Sequence, residues 1–453
     1  MLRRPGQDTR VAGHPGANRR RARWGISLVA SALWAYALPV AGQGIALRGV
    51  GPINESMGGV AVGCPLDATG AIHWNPASIS GLPCSEMDFG VELLLPTTQL
   101  SSRIDAGALG PGNPPITLSG SDGGEPGVSA IPTMAMVHHV EGTPWTFGLG
   151  VLGVGGSHVN YPASVFGGTN NPILFAQPLG LGRLSASVDI LQIDPTLSYQ
   201  FTDCLAIGFA PTLTVADLGA SPLFLGPKNS DGMYPEGYGT RYTWGGGFQV
   251  GLYYTPTADW RFGASLKSPQ WMEPFRFQTQ DSFGRPEVET FRLDYPLIAS
   301  VGGSYTGFAN WVLGCDVRYF NYAGTAGFEG KGFAPDGALI GLDWKDVYSV
   351  AVGVQRQLSE RFFLRLGYVY NDNPITSEAS QFNVASPLIT QHTVHLGGSY
   401  MFADNWLLSV SYVHAFENEV SGPLQVAGTP IAGTSVASKV SADTLTAGFS
   451  KRF

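Results

Sequence analysis

The sequence predicts an all-β chain, fourteen antiparallel strands closed into a transmembrane β-barrel. Three observations carry that prediction. Thirteen connections between strand-like segments alternate between very short and very long, several segments alternate apolar with small polar residues, and tryptophans open strands directly after short connections. Strands of a membrane barrel turn tightly on one side and carry larger loops on the other, with apolar residues outward and polar residues inward.

The short links fall at Val140–Pro144, Phe201–Asp203, Thr255–Asp259, Gly307–Asn310, Leu358–Glu360 and Phe402–Asn405. The long ones fill Ser101–Gly127, Gly156–Leu184, Asp217–Tyr238, Gln278–Glu287, Ala323–Lys345, Asn371–Leu388 and Phe416–Val440. Six turns and seven loops suit an even barrel whose two ends both lie on the turn side.

Period two is clearest in Leu205–Val215, where Leu205, Ile207, Phe209, Leu213 and Val215 share one face and Ala206, Gly208, Ala210, Thr212 and Thr214 the other. Tyr348, Val350, Val352 and Val354 likewise alternate with Ser349, Ala351, Gly353 and Gln355. A soluble sandwich would show the same alternation with its apolar set turned inward. Length separates the two: Thr240–Tyr254 and Val288–Thr306 exceed the usual strand and suit a tilted bilayer crossing. Trp145, Trp260, Trp311 and Trp406 each follow a short link, as an interfacial girdle requires. The chain ends in Phe453, preceded at every second position by Lys451, Phe449, Ala447 and Leu445. That pattern resembles the C-terminal signal of outer-membrane assembly, with Lys451 as a departure.

Residues 1–42 read as an export signal: Arg19, Arg20, Arg21 and Arg23, then an apolar stretch from Trp24 to Val40, then Ala41 and Gly42. Without them the chain keeps 19 basic against 33 acidic residues, a formal charge of −14. That balance argues against nucleic acid as a partner. Of the four cysteines, Cys64 and Cys84 could close a loop worth roughly 3 kcal/mol. Cys204 at a turn and Cys315 on an outward strand position read as unpaired.

Gly44–Leu82 is rich in Gly and Ala and lacks barrel-length alternation. It contains Met57-Gly58-Gly59, Asp67-Ala68-Thr69 and Trp74-Asn75-Pro76-Ala77. These blocks, with Gly251–Tyr254, Gly263–Pro269, Asp346–Gly353 and Arg365–Pro374, resemble the FadL/TodX family of outer-membrane transporters for long-chain fatty acids and other hydrophobic compounds. Asn75, Pro76 and Ala77 match the family's hatch triplet. The resemblance implies an N-terminal hatch, residues 43–84, plugging a barrel of residues 85–453. It also implies outer-loop capture, a luminal pocket, and lateral release at an inward kink of the third strand. Gly148, Gly150 and Gly153 would tolerate that kink.

Alternation places Lys267, Asp316, Arg318, Arg365 and His395 in the lumen. A fatty-acid carboxylate there would need a cation, for which Lys267, Arg318 and Arg365 are the candidates. Lumen ion pairing or hatch binding is their other reading. Ile173, Leu174 and Phe175, with Leu179 and Leu181, and Leu223, Phe224 and Leu225 are candidates for an external capture groove. Gly-x-Ser-x-Gly and His-Glu-x-x-His are both missing, and His138-His139 on a strand would face opposite sides. The sequence therefore predicts a cofactor-free, metal-free, non-enzymatic monomer of the outer membrane. It would passively take up fatty acids or similar molecules, with aromatic hydrocarbons as the nearest rival and a porin or an enzyme on the same barrel as alternatives. Its expected partners are the hydrophobic cargo, outer-membrane lipid and the assembly machinery.

Overall fold

The computed structural model describes residues 43–453 apart from 238–240, 282, 284 and 427. The expected export signal lies outside the described residues. Fourteen long strands form the wall. β1 is Glu86–Ile104, β2 Ser129–His139, β3 Trp145–Tyr161, β4 Leu184–Thr202 and β5 Leu205–Ser221. β6 is Arg241–Tyr254, β7 Trp260–Lys267, β8 Leu297–Tyr305, β9 Trp311–Asn321 and β10 Val347–Ser359. β11 is Phe362–Asn371, β12 His392–Ala403, β13 Trp406–Gly422 and β14 Thr434–Arg452. Each pairs antiparallel with the next, and β1 pairs β14 from Glu86↔Arg452 to Ile104↔Thr434, which closes the barrel.

The faces settle what the wall borders. On β1, Phe89, Val91, Leu93 and Leu95 are exposed while Asp88 and Glu92 are buried. On β10, Val350 and Val352 are exposed while Ser349 and Ala351 are buried. Apolar side chains outside and polar ones inside are stable only against lipid. Trp145, Trp260 and Trp406 are exposed beside the short turns, and Trp311 is half-buried.

Two strand expectations change. Val288–Thr306 is not one strand: Pro286–Phe291 pairs with Phe275–Gln280 in a separate hairpin, and β8 starts at Leu297. Between them Arg292 salt-bridges Asp294 and Tyr295 is buried, while Pro296 has no N–H for a ladder. Conversely, β3, β5 and β13 run on through Tyr161, Ser221 and Gly422, because their cross-strand pairing continues into stretches expected as loops.

The lumen is filled by residues 43–84. Helices α1 (Gly51–Ser56) and α2 (Ala68–Trp74) and a short 3-10 turn at Ser78–Gly81 are almost wholly buried. α1 touches β1, β11, β12, β13 and β14, and α2 touches β1 to β4. Small wall residues make this approach possible. A Cβ on Gly251 would lie 2.0 Å from Asn75 Oδ1, and one on Gly263 would lie 1.8 Å from Val62 O. The expected Cys64–Cys84 disulfide is absent: both are free thiols. Cys64 packs beside Met57, Val60 and Ala351, whereas Cys84 lies near Glu86 and Arg452 at the far end of the chain.

Candidate transport path

Wall side chains fasten the luminal segment. Asp316 Oδ2 accepts from the N–H groups of Ala61 (2.8 Å) and Val62 (3.1 Å), and Arg318 Nη2 donates to the same oxygen at 3.0 Å. Arg318 also donates to Gly59 O, and its guanidinium lies 3.5 Å over the Trp74 ring. At the start of α2, Asp88 Oδ2 accepts from the Ala68 (2.8 Å) and Thr69 (3.2 Å) N–H groups, satisfying helix-end donors that the short helix leaves free. Asn75 Nδ2 donates to Val62 O (2.7 Å) and to Leu252 O of β6 (2.9 Å), and Asn75 Oδ1 accepts from the Ala77 N–H at 3.1 Å. Pro76, which follows, has no N–H to satisfy. The triplet thus ties two stretches of the segment to the wall.

Arg318 therefore fastens the segment. Arg365 donates to Gln355 (2.7 Å) and Ser399 (2.6 Å), and Lys267 donates to Gln192 Oε1 at 2.9 Å with Asp194 as its charge partner. None of the three carboxylate candidates lines the three connected cavities beside the segment.

Three cavities lie above and beside the segment, and they share walls. An outer groove of about 1250 Å³ opens among the long loops, lined by Ile173, Leu179, Leu181 and Phe224. Leu174 and Leu223 are fully buried in the loops' own packing, and Phe175 holds that loop through backbone bonds, so these three do not line it. Phe224 and Ala385 also border an inner cavity, whose other walls include Leu225, Phe291, Leu293 and Phe328. No charged residue lines this inner cavity among the described residues. Ile45 and Ser157 in turn border a lower chamber. The lower chamber sets polar side chains, Gln43, Arg48, Glu92, Thr98 and His158, among apolar walls.

That chamber abuts a break in the wall. β2 and β3 pair only from Thr133↔Leu152 to His139↔Thr146. Beyond Leu152, the register of β3 against β4 shifts between Gly153 and Gly155, and Leu152, Gly153, Val154 and Gly155 are buried in succession. The bulge turns β3 inward, where Leu47 N–H donates to Val154 O (2.9 Å) and Gly156 N–H donates to Ile45 O (3.3 Å). The N-terminal segment thus takes the backbone partners that β2 would otherwise supply. Glu125 and Asn160 rejoin the two sides further out, through a backbone bond of 2.7 Å and a side-chain bond of 3.1 Å. Only side chains cover the gap. Ser129 Oγ and His158 Nδ1 are 3.4 Å apart across it, His158 Nε2 is 3.0 Å from Asp189, and the Ile131 side chain occupies the place a Cβ on Gly153 would take. Of the three kink glycines, Gly153 lies at the bulge. Gly148 and Gly150 keep regular register and make room for Ile72 of α2.

A match to the family model described as outer membrane protein transport protein (OMPP1/FadL/TodX) spans residues 27–453. The chain belongs to this family. It is an outer-membrane β-barrel of a family that transports hydrophobic compounds. Among solved structures, the toluene transporter TodX of P. putida is similar at 15% identity and a TM-score of 0.64, covering 90% of this chain and 99% of that one. The toluene transporter TbuX of Ralstonia pickettii shows 17% identity and a TM-score of 0.63, with the same coverage. A Pseudomonas aeruginosa FadL homologue shows 13% identity and a TM-score of 0.68, covering 90% and 100%. At these identities the likeness is one of fold. No individual curated protein matches by sequence.

Sequence reasoning passed over Arg48 and Glu92. Arg48 donates to Thr390, and Glu55 and Glu92 are its charge neighbours. Burial lowers its pKa and the two acids oppose that shift. Burial pushes Glu55 up to about 7, against a 2.8 Å bond from Thr446 and the pull of Arg48. Arg48 is the sole cation in a Gly- and Ala-rich segment, and Glu92 is an inward acid on a strand; both signals were present in the sequence.

Proposed function

We propose that this protein carries uncharged hydrophobic molecules of monoaromatic size into the outer membrane, rather than fatty acids. Cargo enters the outer groove, passes to the inner cavity, and leaves through the β2–β3 gap into the bilayer. The observation that carries this reading is the charge distribution along the path. The inner cavity holds aromatic and aliphatic side chains and no charge, and the lower chamber's Arg48 already faces Glu55 and Glu92.

Magnitudes favour the neutral cargo. A ring burying about 150 Å² gains about 4 kcal/mol, a millimolar affinity that permits release. A buried carboxylate without a free cation costs several kcal/mol and would cancel that gain. An apolar molecule is also poorly served by aqueous periplasm, whereas a lateral exit keeps its surface out of water. TodX and TbuX are described as toluene transporters, which agrees with this reading without deciding it. On this reading the protein acts as a monomer without cofactor, and lipid is its acceptor.

Uptake of labelled toluene and labelled oleate by cells expressing the chain, against cells with an empty vector, tests the proposal. Faster toluene entry with unchanged oleate entry is expected. The reverse pattern would overturn it.

A further inference from the structure

The inner cavity and the lower chamber differ in chemistry although they share Ile45 and Ser157. The first asks only for apolar surface. The second presents hydrogen-bonding atoms that nothing in the protein satisfies. Glu92 is 2% exposed and its Oε2 has no partner; Gln43 is 2% exposed and its Oε1 has none; Arg48 Nε is likewise buried and unpartnered. All three residues line the chamber, as does Thr98, whose buried Oγ1 is unpartnered too. Buried polar atoms are normally paired, so four unpaired ones around one cavity imply a guest that supplies the missing partners.

The kind of guest follows from the unpaired atoms. Two of the four are acceptors, the carboxyl oxygen of Glu92 and the amide oxygen of Gln43, and the Thr98 hydroxyl can donate or accept. The remaining amide nitrogen of Gln43 is engaged with Ser349 Oγ at 3.3 Å, which fixes the amide's position. A hydroxyl can donate to one acceptor and accept from Arg48 Nε.

We infer that the inner cavity and lower chamber form one two-part site for uncharged aromatic amphiphiles. The ring lies against the Phe224 and Phe328 side, and a single hydroxyl head accepts from Arg48 Nε and donates to Glu92 Oε2 or Gln43 Oε1, one acceptor at a time. This rests on the reading of the path proposed above and narrows its cargo to phenol-like molecules, with plain hydrocarbons as weaker ligands.

Equilibrium dialysis of 4-propylphenol, propylbenzene and hexanoate against the full chain in nanodiscs, with protein-free nanodiscs subtracted, tests the assignment. The phenol should bind about tenfold tighter than the hydrocarbon, the gain expected of one added hydrogen bond. Glu92→Leu should cut that preference about threefold by removing one of the two acceptors, leaving propylbenzene unchanged. Gln43→Leu, a second route to the same loss, should lower phenol binding alone. Equal binding of phenol and hydrocarbon would mean that the chamber holds only water, and would overturn the inference while leaving the hydrocarbon reading intact. A preference unmoved by both substitutions would overturn it too. Hexanoate binding tightest would sink both readings together.

Discussion

The two halves of the barrel interior are held together by different means. Around the luminal segment, backbone meets backbone through glycine gaps, and Asp88, Asn75, Asp316 and Arg318 bond the segment to strands on several sides. At the β2–β3 gap no backbone bond crosses between Leu152 and Asn160, and the cover is Ile131, Ser129 and His158. Bonds of the first kind are buried and mutually dependent, so they resist local opening. Side chains across a gap can move at small cost. The contrast teaches that the wall is weak where the cargo cavity meets it and strong where the plug sits.

Four experiments would break or sharpen that contrast. The largest effect is expected from joining the gap: Ser129→Cys with His158→Cys, once oxidised, should abolish uptake of labelled toluene, and reductant should restore it. Uptake that persists in the cross-linked protein would place the exit elsewhere. Next comes Asp316→Leu, which strands Arg318 in the lumen and frees two N–H groups. It should cost about 3–5 kcal/mol, read as the urea midpoint in detergent. Gly263→Ala follows, since its new methyl would overlap Val62 O. Overpacking should cost about 1–3 kcal/mol and produce ion conductance in planar bilayers as the segment shifts. The smallest is Ile131→Ala. A side chain that only covers a gap should cost about 1 kcal/mol in the same urea titration, below the usual core range. It should also quicken entry of cargo bulkier than toluene. An Ile131→Ala cost as large as that of Asp316→Leu would erase the distinction between the two regions.

Much of the wall was legible residue by residue. Leu205–Val215 shows its outward face in its own alternation, and the four tryptophans mark one rim, because a strand's side-chain period and a turn's length are local properties. Asn75 was legible through its triplet, although its bond to Leu252 was not. The Val288–Thr306 reading failed because alternation does not report which partner a strand finds. There the upper part left the wall to pair with Phe275–Gln280. The carboxylate candidates take protein partners for a related reason. Alternation put Lys267, Arg318 and Arg365 in the lumen, but whether a luminal cation faces the plug or the cargo depends on what fills the space beside it.

The sequence by itself determined the class of molecule: a closed strand wall with lipid outside, short turns at one rim, long loops at the other, and a glycine-rich segment suited to close packing. Those follow from spacing along the chain. Only the tertiary structure decided where the wall loosens and which groups line the cavities. Arg48 meets Thr390, His158 reaches Ser129, and the segment at Ile45 takes up the partners that β3 lost. Each of these is a contact between residues far apart in sequence, fixed by barrel closure and by the bulge at Gly153. No local pattern encodes such a distance.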